Sequence, residues 1–231
     1  MTSTPLSAPL GDELLDHPDA DPRSVETSLH HIARSNRWFG GWWAVRRGLE
    51  RLLPDVPEGT KLTLLDVGTG AGDLPRSAVG WARKRGISLV PVGVERHRAA
   101  AGLARSGGVA TMLACASALP VRARSVDLVV ASQLIHHLRP EAIVEFFHAA
   151  NRLARVGVII ADLRRSPMAM AGFWLGARLF RFDPATKVDG LTSVRRGFRS
   201  GELSDLLARA GIMGRVEQTP GFRLLATWRV T

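Results

Sequence analysis

The sequence predicts a doubly wound α/β domain closed by an antiparallel pair of strands, on three observations. From residue 61 onward short apolar runs alternate with stretches of helical spacing, the order that builds a parallel sheet covered by helices on both faces. The first apolar run, residues 62–67, opens directly into Gly68-Thr69-Gly70-Ala71-Gly72-Asp73. That strand–turn–helix layout lets a ligand touch bare backbone at a sheet edge. Near the C-terminus, Pro220-Gly221 separates two runs that read as strands, a turn signal for a hairpin.

Residues 1–26 carry Pro, Asp, Ser and Thr without periodicity and are expected to be a mobile tail. The domain proper is expected over 27–231, opening with a helical cap over 27–56. Residues 29–53 read as helical, interrupted by Asn36-Arg37-Trp38-Phe39-Gly40-Gly41; Trp42, Val45, Leu49, Leu52 and Leu53 then line one side of a helix that stops at Pro54. Leu62, Leu64, Leu65 and Val67 make the first strand, and Leu74, Ala78, Trp81 and Ala82 share a helix face. A second strand over 87–94 ends at Glu95, and a short helix carries Ala99, Ala100 and Leu103. Residues 109–113 and 126–130 are the third and fourth strands. Pro140 starts a helix with Ile143, Phe146, Phe147, Ala150 and Leu153 inward. The fifth strand, 156–161, ends at Asp162. Ser166-Pro167 begins a helix that is apolar all round as far as Ala177, so it is buried or faces a hydrophobic ligand or lipid. Residues 183–199 are expected as a long connection of the kind that forms lids. Ser200 is expected to cap a helix that buries Leu203, Leu206, Leu207 and Ala210 and stops at Gly211. Runs 214–218 and 222–230 form the closing hairpin.

A chain of 231 residues accommodates one α/β domain with a sizeable core. No run reaches the ~18 uncharged apolar residues of a membrane span, no basic start precedes an apolar core, and a cytoplasmic location is expected. The one cysteine, Cys115, excludes an intramolecular disulfide and a multi-cysteine metal site, and no metal is expected. The net charge of +10 points toward nucleic acid. Against this, the arginines are scattered and no tyrosine is present to stack on bases, so nucleic acid is not the expected partner. Contact with an anionic membrane surface stays open.

Spacing narrows the ligand. A dinucleotide fingerprint GxGxxG would put its third glycine at position 73, which is Asp73. An acidic side chain at the start of the helix also opposes a pyrophosphate at the positive end of the dipole. A cationic ligand with a zwitterionic tail meets no such conflict. Glu95 stands where a ribose diol needs a carboxylate to accept two hydrogen bonds. At this point Asp66, Gly68, Gly70 and Gly72 match D/E-x-G-x-G-x-G, and the chain resembles the class I S-adenosylmethionine-dependent methyltransferases. The resemblance implies S-adenosyl-L-methionine as cofactor and a Rossmann-like sheet of seven strands with the last inserted antiparallel. It implies Asp66, Gly68, Thr69, Gly70, Gly72, Glu95 and Arg96 as cofactor-binding residues, with Cys115, Ala116, Ser117, Ser132 and Gln133. In many such enzymes an Asp-Ala-x-x-Leu-Pro segment lies against the adenine, the alanine N–H meeting a ring nitrogen. Residues 115–120 match it except that Cys115 replaces the aspartate, and a thiol is a poor acceptor for the adenine amino group.

The chain is similar, within that superfamily, to quinone-biosynthesis-type methyltransferases and to those encoded beside bacterial polyketide synthases. This implies O- or C-methyl transfer to a hydrophobic, phenolic or polyketide-like small molecule. The Asn/Asp-Pro-Pro-aromatic motif and the Pro-Cys dipeptide of base methyltransferases are missing. An RNA or protein acceptor is the alternative that the charge favours; a non-catalytic S-adenosylmethionine-binding module is the alternative of another class. For catalysis, His136 or His137, following the fourth strand, suits a general base for a phenol proton. Asp162 is the competing base, and alignment alone, worth roughly 7–11 kcal/mol, is the third possibility. Trp38, Phe39, Trp42 and Trp43, with residues 167–177, are expected to build the acceptor pocket. Arg178, Arg181, Arg195 and Arg196 are placed to hold a carboxylate or an anionic membrane surface. The sequence carries no indication of oligomeric state.

Overall fold

Seven strands hydrogen-bond in one sheet: β1 (Lys61–Val67), β2 (Ser88–Glu95), β3 (Ala110–Leu113), β4 (Val126–Ser132), β5 (Ala154–Leu163), β6 (Arg215–Thr219) and β7 (Arg223–Arg229). Their spatial order is β3-β2-β1-β4-β5-β7-β6. The first five run parallel, and β7 enters antiparallel between β5 and β6. Chain direction across the sheet reverses between β1 and β4, so their carboxyl ends flank the crevice where ligands of such sheets bind. The computed structural model describes residues 13, 14, 17 and 19–230, and most of the tail expected over 1–26 lies outside the described residues.

Alternation along the central strands divides two cores. Leu65, Val67, Val129 and Ala131 face one side of the sheet and pack with Phe146 and Phe147 of α5 (Pro140–Leu153) and Leu203, Leu206 and Leu207 of α8 (Ser200–Arg209). Leu62, Leu64, Leu128 and Val130 face the other side. They pack with Val45 and Leu49 of α2 (Gly41–Leu52) and Ala78 and Trp81 of α3 (Asp73–Arg83). A third cluster joins Val25 and Leu29 of α1 (Pro22–Trp38) to Ala100 of α4 (Arg98–Ser106), which lays α1 across the glycine turn.

Several elements differ from the sequence expectation. Helix α1 starts at Pro22, inside the segment assigned to the tail, because the Asp21 carboxylate accepts from Ser24 N–H at 2.9 Å and Pro22 fits the first turn. The long connection expected over 183–199 is instead a helix, α7 (Pro184–Arg196), capped by Asp183 on Thr186 N–H at 3.0 Å. Ser200 is the first helical residue of α8 and does not cap it; Arg199 holds the cap position, with its N–H donating to Glu202 Oε2 at 2.8 Å. Helix α6 (Pro167–Leu179) buries only one side, leaving Met168, Trp174, Leu175 and Leu179 exposed.

The turn between α1 and α2 is pressed on the turn between β6 and β7. A Cβ at Gly40 would collide with the Pro220 carbonyl, and one at Gly221 with the Phe39 carbonyl. Backbone therefore touches backbone, and the helical cap is fixed over the end of the hairpin.

Candidate active site

The site begins where β1 ends. Gly68, Gly70 and Gly72 all have positive φ, +74°, +53° and +75°, a conformation that disfavours any residue with a Cβ. Gly68 and Thr69 donate to the Val94 carbonyl at 2.8 and 3.1 Å, which locks the turn to β2. Glu95 closes the other side: Oε2 accepts from Gly70 N–H and Oε1 from His97 N–H, both at 2.9 Å. Beneath them Asp66 is buried and accepts from the Thr69 hydroxyl at 2.8 Å. Burial, with the charges of Asp73 and Glu95 nearby, pushes its carboxyl up to about 7 against the Thr69 hydrogen bond. Three carboxylates around one turn suit a cationic ligand and repel a pyrophosphate.

Helix α1 roofs this turn. Leu29 is the first atom group a side chain at Gly70 would meet, so the glycine is needed for helix packing as well as for ligand approach. Asn36 donates to Asp73 Oδ2 at 3.0 Å and accepts from Gln133 Nε2 at 2.7 Å, stitching the β1 turn to the segment after β4. Ser132 and Gln133 both line the cavity. Gln133 has φ +52°, and the Ser132 hydroxyl is buried without a hydrogen-bond partner among the described residues.

The residues expected around the adenine lie on an open rim at the ends of β2 and β3. Ala114 N–H donates to the Glu95 carbonyl at 3.0 Å, which brings residues 115–117 up to Glu95. Cys115, Ser117 and Arg96 are exposed and Ala116 half-buried. The Ser117 hydroxyl donates to Cys115 Sγ at 3.2 Å and holds the thiol below its usual range, with Arg96 contributing.

Next to the glycine turn is a cavity of about 240 Å³. Phe39, Phe173, Phe182 and Phe222 give it an aromatic lining, and His136, His137 and Arg223 share the wall. The expectation for the tryptophans is corrected. Trp38 and Trp43 point to solvent, Trp42 packs on the α2–α3 core, and Trp174 faces outward; of the residues expected to build the pocket, Phe39, Ala169, Gly172 and Phe173 line the cavity. None of Arg178, Arg181, Arg195 and Arg196 lines it either. The cation that does is Arg223, at the start of β7, which sequence reading did not single out. It is buried, donates from Nε to the Phe39 carbonyl at 3.1 Å, and keeps Nη1 without a hydrogen-bond partner among the described residues. Burial pushes its pKa down to about 10, with Asp162 opposing, so it remains a cation at neutral pH.

His136 and Asp162, read from sequence as rivals, form one unit. Ser132 of β4 pairs with Ala161 of β5, which sets the short 3-10 turn Ile135–His137 against Asp162. His136 Nδ1 lies 2.7 Å from Asp162 Oδ1, and both side chains are almost completely buried. Asp162 also accepts from Ile135 N–H at 3.0 Å and Leu163 N–H at 2.7 Å. Burial raises its pKa, but the imidazole and these N–H groups outweigh that and hold it below the usual carboxylate range. The carboxylate fixes Nδ1 as the protonated nitrogen, and Nε2 is left without a hydrogen-bond partner among the described residues.

His137 is committed elsewhere. Its Nδ1 lies 3.3 Å from Arg196 Nη1, and a guanidinium can only donate, so Nδ1 is an acceptor there. Glu13 completes the group, 3.2 Å from Arg196 and accepting from the Ser193 hydroxyl at 2.7 Å. Ligand atoms of Glu13, His136 and His137 lie within 4.8 Å of one another, a spacing that a metal could bridge, although Arg196 already supplies positive charge to Glu13.

Residues 65–161 match the methyltransferase domain family. Over that span the chain carries a methyltransferase domain. The match runs from the end of β1 to within β5, so it covers the glycine turn and β2–β4, while Asp162, α6, α7 and Arg223 lie beyond it. Such domains take S-adenosylmethionine as methyl donor. Among solved structures, a SAM-dependent methyltransferase from Aquifex aeolicus aligns at 16% identity and TM-score 0.61, over 91% of this chain and 99% of its own. The plantazolicin methyltransferase BpumL, in complex with a pentazolic desmethylPZN analog and SAH, aligns at 12% identity and TM-score 0.71 over 94% of both chains. Human N-acetylserotonin methyltransferase in complex with SAM aligns at 12% identity and TM-score 0.64, over 95% of this chain and 59% of its own. At these identities the likeness is one of fold. No curated protein sequence matches the chain.

Proposed function

We propose that this methyltransferase domain methylates a hydrophobic, phenolic or polyketide-like small molecule at a hydroxyl oxygen or at the ring carbon that hydroxyl activates. The observation that carries this reading is the buried Asp162–His136 pair in the wall of an aromatic cavity beside the glycine turn. The residues of that turn fit S-adenosylmethionine: Asp66, residues 68–73, Glu95 and the amide of Ala116 would hold it, and the surrounding carboxylates match its positive charge. When bound, the cofactor supplies an electrophilic methyl group on a sulfonium.

The chain's own residues prepare the acceptor. His136 accepts the hydroxyl proton at Nε2 while Asp162, hydrogen-bonded at Nδ1, balances the resulting imidazolium. Loss of that proton makes the oxygen, and the ring carbons conjugated to it, nucleophilic enough to take the methyl group. Arg223 places a buried positive charge in the same wall and favours the phenolate. The phenylalanines exclude water and orient the ring. An aromatic lining in a cavity of this size supports a small molecule over RNA or a protein side chain.

The test is methyl transfer to a panel of phenolic and polyketide acceptors, with tRNA and protein as controls. His136→Ala and Asp162→Asn are expected to lower kcat by about 10²–10⁴ and to leave affinity for S-adenosylhomocysteine unchanged. His137→Ala is expected to cost far less. Full activity in both His136→Ala and Asp162→Asn would move catalysis to positioning alone, and preference for tRNA would overturn the small-molecule reading.

A further inference from the structure

Helix α6 is apolar on two sides, and only one of them has a partner among the described residues. Inward, Ala169 and Ala177 are buried, Gly172 and Phe173 line the cavity, and Gly176 packs on the Phe39 ring. Outward, Met168, Leu175 and Leu179 are 70%, 63% and 75% exposed. Their spacing sets them in one stripe, and Trp174, 51% exposed, widens it. The patch continues past the helix end. Trp38 of α1, 62% exposed, stacks on Phe180 at 6.3 Å between centroids. So much contiguous apolar surface is uncommon on a protein that meets only water.

Its charge is as one-sided as its hydropathy. Residues 164–182 contain four arginines and no carboxylate. Arg178 lies over the Trp174 ring at 4.7 Å, Arg37 over Trp38 at 5.5 Å, and Arg34 over Phe180 at 5.4 Å. Tryptophan with arginine, an apolar stripe between, and a chain of net charge +10 match an interface that is apolar below and anionic above. A second copy of the chain matches poorly, because a two-fold contact pairs this face with itself and brings the arginines of both copies together, with no carboxylate in residues 164–182 to offset them.

We propose that the outer face of α6, together with Trp38, docks on an anionic lipid bilayer. Docked in this way, α6 is a wall with lipid on one side and the acceptor cavity on the other, the arrangement that suits an acceptor drawn from the bilayer. That last clause rests on the function proposed above; the docking does not.

The experiment is co-sedimentation of the full chain with phosphatidylcholine vesicles, with and without phosphatidylglycerol, at low and high salt. Binding is expected to require phosphatidylglycerol and to fall with salt. The Leu175→Ser/Leu179→Ser double variant, which changes no charge and replaces no residue of the cavity lining, is expected to bind about tenfold or more weakly. Its thermal midpoint and its affinity for S-adenosylhomocysteine should match the parent, which separates docking from folding and from the cofactor reading. Absence of binding to phosphatidylglycerol vesicles would overturn the proposal. So would equal binding by the double variant, since that would leave only general charge attraction. Self-association that the double variant abolishes, without vesicle binding, would assign the face to a second copy.

Discussion

Asp66 is ionised only in part at neutral pH, since burial and the neighbouring charges of Asp73 and Glu95 push it up to about 7. A cation bound beside it favours the ionised form, so binding releases a proton. Below about 7 that proton must first be removed, and above it the site is already charged. Affinity for S-adenosylmethionine is therefore expected to rise between about pH 6 and 8 and then level off, with at most a tenfold change per pH unit. Calorimetric titration across that range checks it, and Asp66→Asn should shrink the dependence. A flat profile in the parent protein would show that Asp66 does not face the positive charge. Residues of this kind were legible in the sequence because Asp66, the glycines and Glu95 are local to one strand, one turn and the end of the next strand. The His136–Asp162 pair was not. Its members are brought together only by the register of β4 on β5, and sequence spacing alone presents them as competitors. Arg223 and Asn36 gave less still: each is one polar residue in a stretch that reads as strand or helix interruption, and its importance comes from what the fold packs around it.

The elements of the sheet were legible because central strands, buried on both faces, read as unbroken apolar runs. Helix α7 was not, for the opposite reason. Its apolar positions have no helical period, and Gly190 and Thr192 favour a connection. The local start signal, Asp183 followed by Pro184, decides the matter. Asp183 also lies 2.9 Å from His31 of α1, so one carboxylate caps α7 and ties it to α1. Asp183→Ala is expected to lower the unfolding free energy by about 0.5–2 kcal/mol, read from urea denaturation. If the denaturation midpoint does not move, water caps the helix as well as Asp183 does. Helix α6 was read correctly as apolar all round, and the structure adds which side has a partner.

At the scale of the whole molecule, alternation of strand and helix could announce the sheet and the closing hairpin but not where the chain's beginning would come to rest. Helix α1 crosses the site, with Leu29 against Gly70, Asn36 between Asp73 and Gln133, and Ser28 and Ile32 in the cavity lining. One roof thus covers the places proposed for the donor and the acceptor. A shared roof is expected to order the traffic, donor before acceptor, with α1 lifting before the spent donor leaves. Departure, rather than bond making, is then expected to set the pace of repeated turnover. Rapid-quench measurement is expected to show a burst of methylated product in the first turnover, followed by a slower steady rate. Leu29→Ala should quicken the steady rate and leave the first turnover unchanged; a linear time course from the outset would place the slow step before methyl transfer is complete. A helix that supplies no group to the chemistry would in that way act as the timekeeper of the enzyme.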